Sequence, residues 1–196
     1  MKVEIERGAF AEIVGGAAKA LAVRPTTPIL AGLLLSADAE RGTLRAAAFD
    51  FELAVRATAP ARVGESGTAL VSGRLLAEIT RVLPDVPVEL VLEGGHLTLT
   101  CGAYRYTLAC MPVPEYPALP AVPAAVGTVG GAALASAAAR AAMAAERDDT
   151  LPFLTGARLE FGPEHLRLVS TDRYRLARVD VPWQPAEAGR VAWAEG

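Results

Sequence analysis

Two stretches of this chain, far apart in sequence, carry one pattern. Thr43 to Arg56 (TLRAAAFDFELAVR) lines up with His165 to Arg178 (HLRLVSTDRYRLAR) at a constant offset. Leu44 falls on Leu166, Arg45 on Arg167, Asp50 on Asp172, Arg56 on Arg178 and Pro60 on Pro182. A repeat of this kind means that one structural unit is used more than once, which constrains the fold more than any single motif.

The second copy reads as a hairpin. Leu166 to Val169 is a short apolar strand, Thr171-Asp172 the turn, and Arg173 to Val181 the returning strand. The period of two puts Arg173, Arg175, Ala177, Val179 and Val181 on one face, and Tyr174, Leu176, Arg178 and Asp180 on the other. In the first copy Phe51, Leu53, Val55 and Ala57 form the expected core face, opposite Glu52, Ala54, Arg56 and Thr58. Tyr174 and Leu176 thus stand where the first copy has Glu52 and Ala54. Apolar side chains on an outward face, rimmed by Asp172, Arg173 and Arg175, have the make-up of a partner-binding patch.

The surrounding chain supplies the rest of the repeated unit. Met1 to Arg7 alternates as a strand. Gly8 to Leu21 is expected to be a helix with Phe10, Ile13, Val14, Ala17 and Leu21 on one stripe, ended at Arg24-Pro25. Strands follow at Ile29 to Ser36, Leu44 to Ala48 and Phe51 to Thr58. The order then recurs: a strand Thr68 to Val71, a helix Gly73 to Leu83 burying Leu75, Leu76, Ile79, Val82 and Leu83, and strands Val88 to Leu92, Leu97 to Cys101 and Tyr104 to Ala109. Gly94-Gly95 and Gly102-Ala103 supply turns. Residues 1–112 are expected to form one domain of two such units. Five prolines between Pro112 and Pro123 mark 113–124 as an extended connector. A third unit occupies 125–182: a strand Val126 to Val129, an alanine-rich helix Gly131 to Ala145, a strand Phe153 to Leu159, then the hairpin. Residues 183–196 read as a tail, with Trp183 and Trp193 as packing anchors or Arg190 to Trp193 as the start of a strand.

A chain of 196 residues is long enough for one large or two small domains with real cores. No stretch has the length and purity of a membrane span, and no N-terminal targeting signal is visible, so a cytoplasmic protein is the default expectation. Cys101 and Cys110 read as buried free thiols, with a disulfide as the alternative, and no metal cluster accompanies them. His96 and His165 each follow a glycine-containing turn and read as solvated turn residues. No Ser-His-Asp arrangement, metal-ligand spacing or phosphate-cradling loop is present, and Asp148-Asp149 without further ligands is a weak cation site. A non-enzyme without cofactor is expected.

Charge is unevenly placed. The first helix and its exit (Arg7, Glu12, Lys19, Arg24), the second helix (Arg74, Glu78, Arg81) and the third (Arg140, Glu146, Arg147) together carry +4, leaving −7 for the rest of a chain whose total is −3. Basic helices on an acidic body suit sequence-independent contact with phosphates, although a solvated helix face can show the same small excess.

Three motifs in order then resemble one family. Thr171-Asp172-Arg173-Tyr174-Arg175-Leu176-Ala177 is similar to the Thr-Asp-x-x-Arg-Leu-Ala signature of the bacterial DNA polymerase III beta subunit, the sliding clamp. Val23-Arg24-Pro25-Thr26-Thr27-Pro28-Ile29-Leu30 resembles its Arg-Pro-x-x-Pro-Ile-Leu, and Cys110 to Pro117 its Pro-x-x-x-Phe/Tyr-Pro connector. The resemblance covers Met1 to about Trp183. It implies an α+β DNA-clamp fold of repeated β-α-β-β-β units, helices on one face of antiparallel sheets, with three of the six units of a full clamp: the first domain and half of the second. It implies a processivity factor that encircles or contacts double-stranded DNA without reading its sequence, binds polymerase and clamp-loader peptides, and forms a homo-oligomer if it closes a ring. By position it assigns DNA contact to Arg24 and to the loop of Arg147, with the helix cations Arg7, Lys19, Arg74, Arg81 and Arg140 lining the same surface. It assigns the peptide cleft to Leu154, Thr171, Asp172, Arg173, Tyr174, Arg175 and Leu176, with Leu154, Tyr174 and Leu176 as an apolar floor and Arg175 holding a peptide carbonyl or carboxylate. Three units also leave a sheet edge after Val181 expected to be open. The alternative is a non-ring interaction module or regulator that keeps only part of the cleft.

Overall fold

The computed structural model describes residues 1–21, 25 and 27–186, and the chain divides into two compact units, 1–121 and 122–196. In the first unit, β1 (Lys2–Ile5) leads into α1 (Arg7–Ala17), which a 3-10 turn (Ala18–Ala20) continues. Strands β2 (Gly32–Asp38), β3 (Thr43–Phe49), β4 (Ala54–Pro60) and β5 (Arg62–Glu65) follow. The second repeat is β6 (Gly67–Ser72), α2 (Gly73–Val82), β7 (Val88–Glu93), β8 (His96–Cys101) and β9 (Tyr104–Ala109). The turn between β7 and β8 is Gly94-Gly95 with φ of +56° and +78°, a left-handed pair that glycine adopts without steric cost.

These strands form two antiparallel sheets, ordered β4-β3-β2-β6 and β5-β1-β7-β8-β9. Each repeat's first strand therefore pairs in the other repeat's sheet. β1 lies against β7, with Val3 opposite Leu90, and β6 lies against β2, with Ala69 opposite Leu35. The core is common to both repeats: Val3, Phe10, Val14, Leu33, Leu35, Leu44, Leu76, Leu90, Leu97 and Leu99 are all at or near full burial in one cluster.

The second unit holds β10 (Gly127–Val129), α3 (Gly131–Ala142), β11 (Arg158–Phe161), β12 (His165–Thr171) and β13 (Leu176–Pro185) in the sheet order β10-β13-β12-β11. It repeats the first half of unit one: β10 stands for β1, α3 for α1, β11 for β2, β12 for β3, and the long β13 for β4 and β5 together. Its core is small: Ala137, Ala141, Leu166, Leu168 and Val181.

Several expectations need correction. Phe51 and Leu53 are not core: Phe51 is 65% exposed, because the chain turns at Asp50 and the alternation begins only at Ala54. The face then buries Ala59, with Ala57 packed partly against the core. On α2, Leu75 and Val82 point outward and the buried stripe is Leu76, Ile79 and Thr80, whose hydroxyl donates to the Leu76 carbonyl at 2.7 Å. Ile29 to Ser36 and Phe153 to Leu159 are not continuous strands. Each begins with a 3-10 turn, Pro28–Ala31 and Pro152–Leu154, where proline's fixed φ favours a helical start, and Leu30 and Leu154 are the residues each turn buries. β5 was not anticipated. Trp183 belongs to β13 rather than to a tail: its Nε1 donates to the Gly162 carbonyl at 2.8 Å and its ring sits 5.3 Å from Phe161. The edge expected to be open after Val181 is interior, since β13 pairs β12 on one side and β10 on the other. Arg190 to Trp193 lie outside the described residues.

The proline-rich stretch begins as part of the first unit. Tyr116, after the 3-10 turn Val113–Glu115, is buried; its hydroxyl accepts the Phe49 amide at 3.0 Å and reaches the Gly32 carbonyl at 3.4 Å. Cys101 and Cys110 are free thiols, Cys101 buried with its acidity lowered by desolvation. Among the described residues no helix is long and apolar enough to cross a membrane. The Tyr116→Phe variant leaves the Phe49 amide without its acceptor. It should lower the stability of the first unit by about 1–3 kcal/mol in urea unfolding while leaving the second unit's transition in place.

Candidate peptide cleft and DNA-facing helices

The repeated hairpin turn is built by one carboxylate. In the first unit Asp50 Oδ1 accepts the amides of Glu52 (3.0 Å) and Leu53 (2.6 Å); in the second, Asp172 Oδ1 accepts those of Tyr174 (3.0 Å) and Arg175 (2.7 Å). The residue after each aspartate, Phe51 or Arg173, has a φ of +76°. A non-glycine residue tolerates this left-handed backbone only where its surroundings hold it there, and the aspartate does so. The returning strand accordingly starts at Leu176, not at Arg173.

The second turn adds charge. Arg175 Nε and Nη2 donate to Asp172 Oδ2 at 2.9 and 2.7 Å, where the first copy has Leu53. The Arg175 guanidinium, followed by the amides it helps orient, lowers the Asp172 carboxyl to about 2. Asp172 is buried, so among the cleft residues it holds the turn rather than offering a surface. Arg175 keeps only the remainder of its fork for a ligand. Thr171 Oγ1 donates to the Arg175 carbonyl at 2.7 Å and accepts the Arg173 amide at 3.1 Å. With the turn fixed in this way, Tyr174 projects at 89% exposure and Leu176 at 69%.

Leu154 sits beneath a different loop. Its carbonyl accepts the Glu146 amide at 2.9 Å, and Glu146 Oε2 in turn lies 4.0 Å from Arg173 Nη2. Glu146 thus links the Leu154 segment to the hairpin turn. Ser170 anchors the same hairpin to α3 by donating to the Ala141 carbonyl. Met143 and Phe153 are exposed apolar side chains in this unit. Sequence reading did not assign Glu146, Ser170, Met143 or Phe153 to the site: Glu146 entered only as a helix charge and Phe153 only as the start of an expected strand.

The loop that carries Arg147 is folded on itself. Glu146 Oε1 accepts the Arg147 amide at 2.8 Å, and Asp148 Oδ1 accepts the Thr150 hydroxyl and amide at 2.6 and 3.0 Å. The Thr150 hydroxyl, then its amide, holds the Asp148 carboxyl below its ordinary pKa.

Among the described residues, none of Arg7, Lys19, Arg74, Arg81, Arg140 and Arg147 is held in an ion pair. By contrast Lys2, Arg62, Arg158, Arg167 and Arg178, all on strands, are each paired with a carboxylate; Arg167 meets Asp180 at 2.7 Å. Arg74 and Arg81 line one groove with Glu78, Ala18 and Leu21. Arg7 Nε is buried without a hydrogen-bond partner. Arg24, the arginine most directly assigned to DNA, lies outside the described residues.

A fold of β-α-β-β-β repeats with strand exchange between them defines a clamp-type protein. The chain belongs to the DNA polymerase III beta subunit family: residues 1–120 match the model of its N-terminal domain and 128–192 that of its central domain. It is 51% identical over 185 residues to the beta sliding clamp of Streptomyces coelicolor, covering 94% of this chain and 49% of that protein. It is 46% identical over 187 residues to the beta sliding clamp of Micrococcus luteus, covering 95% and 60%. The crystal structure of the DNA polymerase sliding clamp from Bacillus subtilis has the same fold, with a TM-score of 0.86 at 23% identity over 98% of this chain and 52% of that one. The chain thus spans about half the length of the relatives it matches.

Because the folded Asp172 carboxyl is depressed, its stabilisation of the turn is complete above the ordinary carboxylate range near 4 and is lost as pH falls through about 2. Asp172→Asn keeps an oxygen for the amides but loses the charge. Urea midpoints of the second unit should fall below the parent's at pH 6, with the gap closing by pH 2; an unchanged gap across that range would assign the loss to packing.

Proposed function

We propose that this chain works as a clamp-type replication module, without catalysis, that holds double-stranded DNA through its helix cations and offers the Tyr174–Leu176 edge to peptide tails of polymerase and clamp loader. The observation that carries this reading is the division of charge. The strand cations Lys2, Arg62, Arg158, Arg167 and Arg178 meet neighbouring carboxylates, Arg45, Arg56 and Arg105 on strands do not, and among the described residues none of Arg7, Lys19, Arg74, Arg81, Arg140 and Arg147 is in an ion pair, which leaves the helix cations for an external anion. Phosphate contacts of this sort hold DNA without reading sequence, and they let the duplex slide.

The cleft reading rests on the exposure of Tyr174 and Leu176 above a turn that Asp172 fixes. A rigid turn presents two apolar side chains with little ordering left to do on binding, and Tyr174 adds a large face at small entropic cost. A non-ring interaction module is favoured over a DNA-holding one if only this half of the reading survives test.

DNA and peptide binding are separable. On a fluorescent duplex, the combined Arg74→Gln and Arg81→Gln variant should weaken affinity equally for unrelated sequences and reduce the log–log salt slope by about two. A parent chain with no measurable duplex affinity at low salt would leave the interaction module as the function. For the cleft, Leu176→Asp should abolish binding of a fluorescent polymerase-tail peptide with the far-UV spectrum unchanged; undiminished affinity would remove this edge from the cleft.

A further inference from the structure

Arg45 of β3 and Arg167 of β12 hold the same place in the two copies of the repeat. Each is flanked in sequence by two core residues, Leu44 and Ala46 or Leu166 and Leu168, so each lies on the sheet face turned away from the core. In the second unit the register sets Arg167 opposite Glu160 of β11 and Asp180 of β13. Both carboxylates answer it. Arg167 Nε and Nη2 donate to Asp180 at 2.7 and 3.0 Å, and Nη1 lies 3.7 Å from Glu160 Oε2. In the first unit the register sets Arg45 opposite Ser36 of β2 and Thr58 of β4. Two hydroxyls thus stand where the other copy has two carboxylates. Arg45 keeps one long contact, from Nε to Thr58 Oγ1 at 3.4 Å, and among the described residues it meets no carboxylate.

The replacement goes with a hollow on this face. Ser36, Asp38, Arg41, Thr43, Arg45 and Ser66 line a space of about 270 Å³, all within the first unit. Its one carboxylate is already answered: Asp38 Oδ1 accepts the Arg41 amide at 3.0 Å, and Oδ2 lies 3.6 Å from Arg41 Nη1. Two guanidiniums against one carboxylate leave a positive charge in excess. Ser66 Oγ accepts the Ala39 amide at 2.9 Å, which leaves its own proton to donate. The hollow therefore combines an uncompensated arginine with hydroxyl donors from three separate strands or turns.

We infer that this hollow binds a phosphate group, free or as a small monoester, which takes the place beside Arg45 that Glu160 and Asp180 take beside Arg167. A phosphate dianion brings two negative charges, as those two carboxylates do, and gathers them on one centre. Guanidinium pairs with phosphate in the same forked geometry as with carboxylate, so the exchange keeps the chemistry of the other copy. Arg45 has Nη1 and Nη2 to give, and the hydroxyls of Ser36, Thr43 and Ser66 serve the remaining oxygens of a tetrahedral anion. The site shares no residue with the Tyr174–Leu176 edge or with the groove of Arg74 and Arg81, and it stands without either.

Amide proton–nitrogen correlation spectra of the chain, titrated with inorganic phosphate at constant pH and ionic strength, should show saturable shifts centred on Ser36, Thr43, Arg45 and Ser66. A parallel titration with glycerol phosphate separates a site open to monoesters, which moves the same signals, from one that takes the free ion alone. Arg45→Gln should weaken phosphate affinity by at least about tenfold, as expected for one charge-assisted contact, with the urea midpoint retained. Ser36→Glu gives β2 the carboxylate that β11 has in Glu160; it should answer Arg45 from within and abolish the shifts. The combined Arg74→Gln and Arg81→Gln variant should leave them unchanged. Shifts that never saturate or that spread over the helix cations overturn the proposal, as does an affinity undiminished by Arg45→Gln or by Ser36→Glu.

Discussion

A β-strand with one bare edge and one half-covered face is unstable until something completes both, and the first unit shows how this family of repeats meets that need. The first strand of a β-α-β-β-β repeat has one partner within the repeat, as β1 has β5 and β10 has β13. In the first unit the first strand of each repeat also pairs in the neighbouring repeat's sheet, where Val3 lies opposite Leu90 and Ala69 opposite Leu35. One large core results, reaching from Met1 to Leu108. The burial of Phe10, Leu33, Leu44, Leu76 and Leu97 follows from that closure, because the two sheets and two helices share one interior. The second unit has the same parts in the same order, and its small alanine-rich core is what one repeat can bury on its own.

Much of this was legible in the sequence because the repeat was exact in the places that matter. The constant offset between Thr43–Phe49 and His165–Thr171 is the offset between β3 and β12, and it carries Asp50 onto Asp172 and Phe51 onto Arg173, the two residues with φ of +76°. The strand-helix order and the outward Tyr174 and Leu176 followed from it. What was not legible is instructive. Alternation alone placed Phe51 and Leu53 in the core, since a period of two cannot reveal that an aspartate has folded the chain into a turn before the strand begins. Amphipathic spacing overextended the buried stripe of α2 to Leu75 and Val82, because periodicity defines a face but not how far a sheet reaches beneath it. Strand exchange left no local trace at all, so β5 was missed and the open edge was assigned to the wrong strand.

The candidate cleft was legible as a list of residues but not as a division of labour. Thr171-Asp172 read as a turn and Arg173 to Leu176 as the start of the returning strand, all six assigned to the cleft by resemblance. In the structure Asp172 and Thr171 face inward to the turn's own amides and carbonyls, and most of the Arg175 guanidinium answers Asp172. Only Tyr174 and Leu176 are left fully presented. The exchange of Leu53 for Arg175 between the copies explains why: an arginine at that position adds a charge pair to the second turn, where the first has only the Asp50 carboxylate accepting backbone amides and a backbone bond from the Asp50 amide to the Leu53 carbonyl.

The same contrast bears on the helices. An arginine beside a carboxylate on a strand has its charge answered within the fold, and its side chain is ordered before any partner arrives. An unanswered cation on a helix keeps its field and its freedom, at little cost to stability because surface pairs contribute little in any case. Arg167 with Asp180 is the first kind; Arg74 and Arg81, lining one groove on α2, are the second. A surface that must hold a polyanion while letting it move needs the second kind, since fixed bidentate contacts would stop the polymer at one register. The sequence placed a small positive excess on the helices; the structure adds that this excess is unspent.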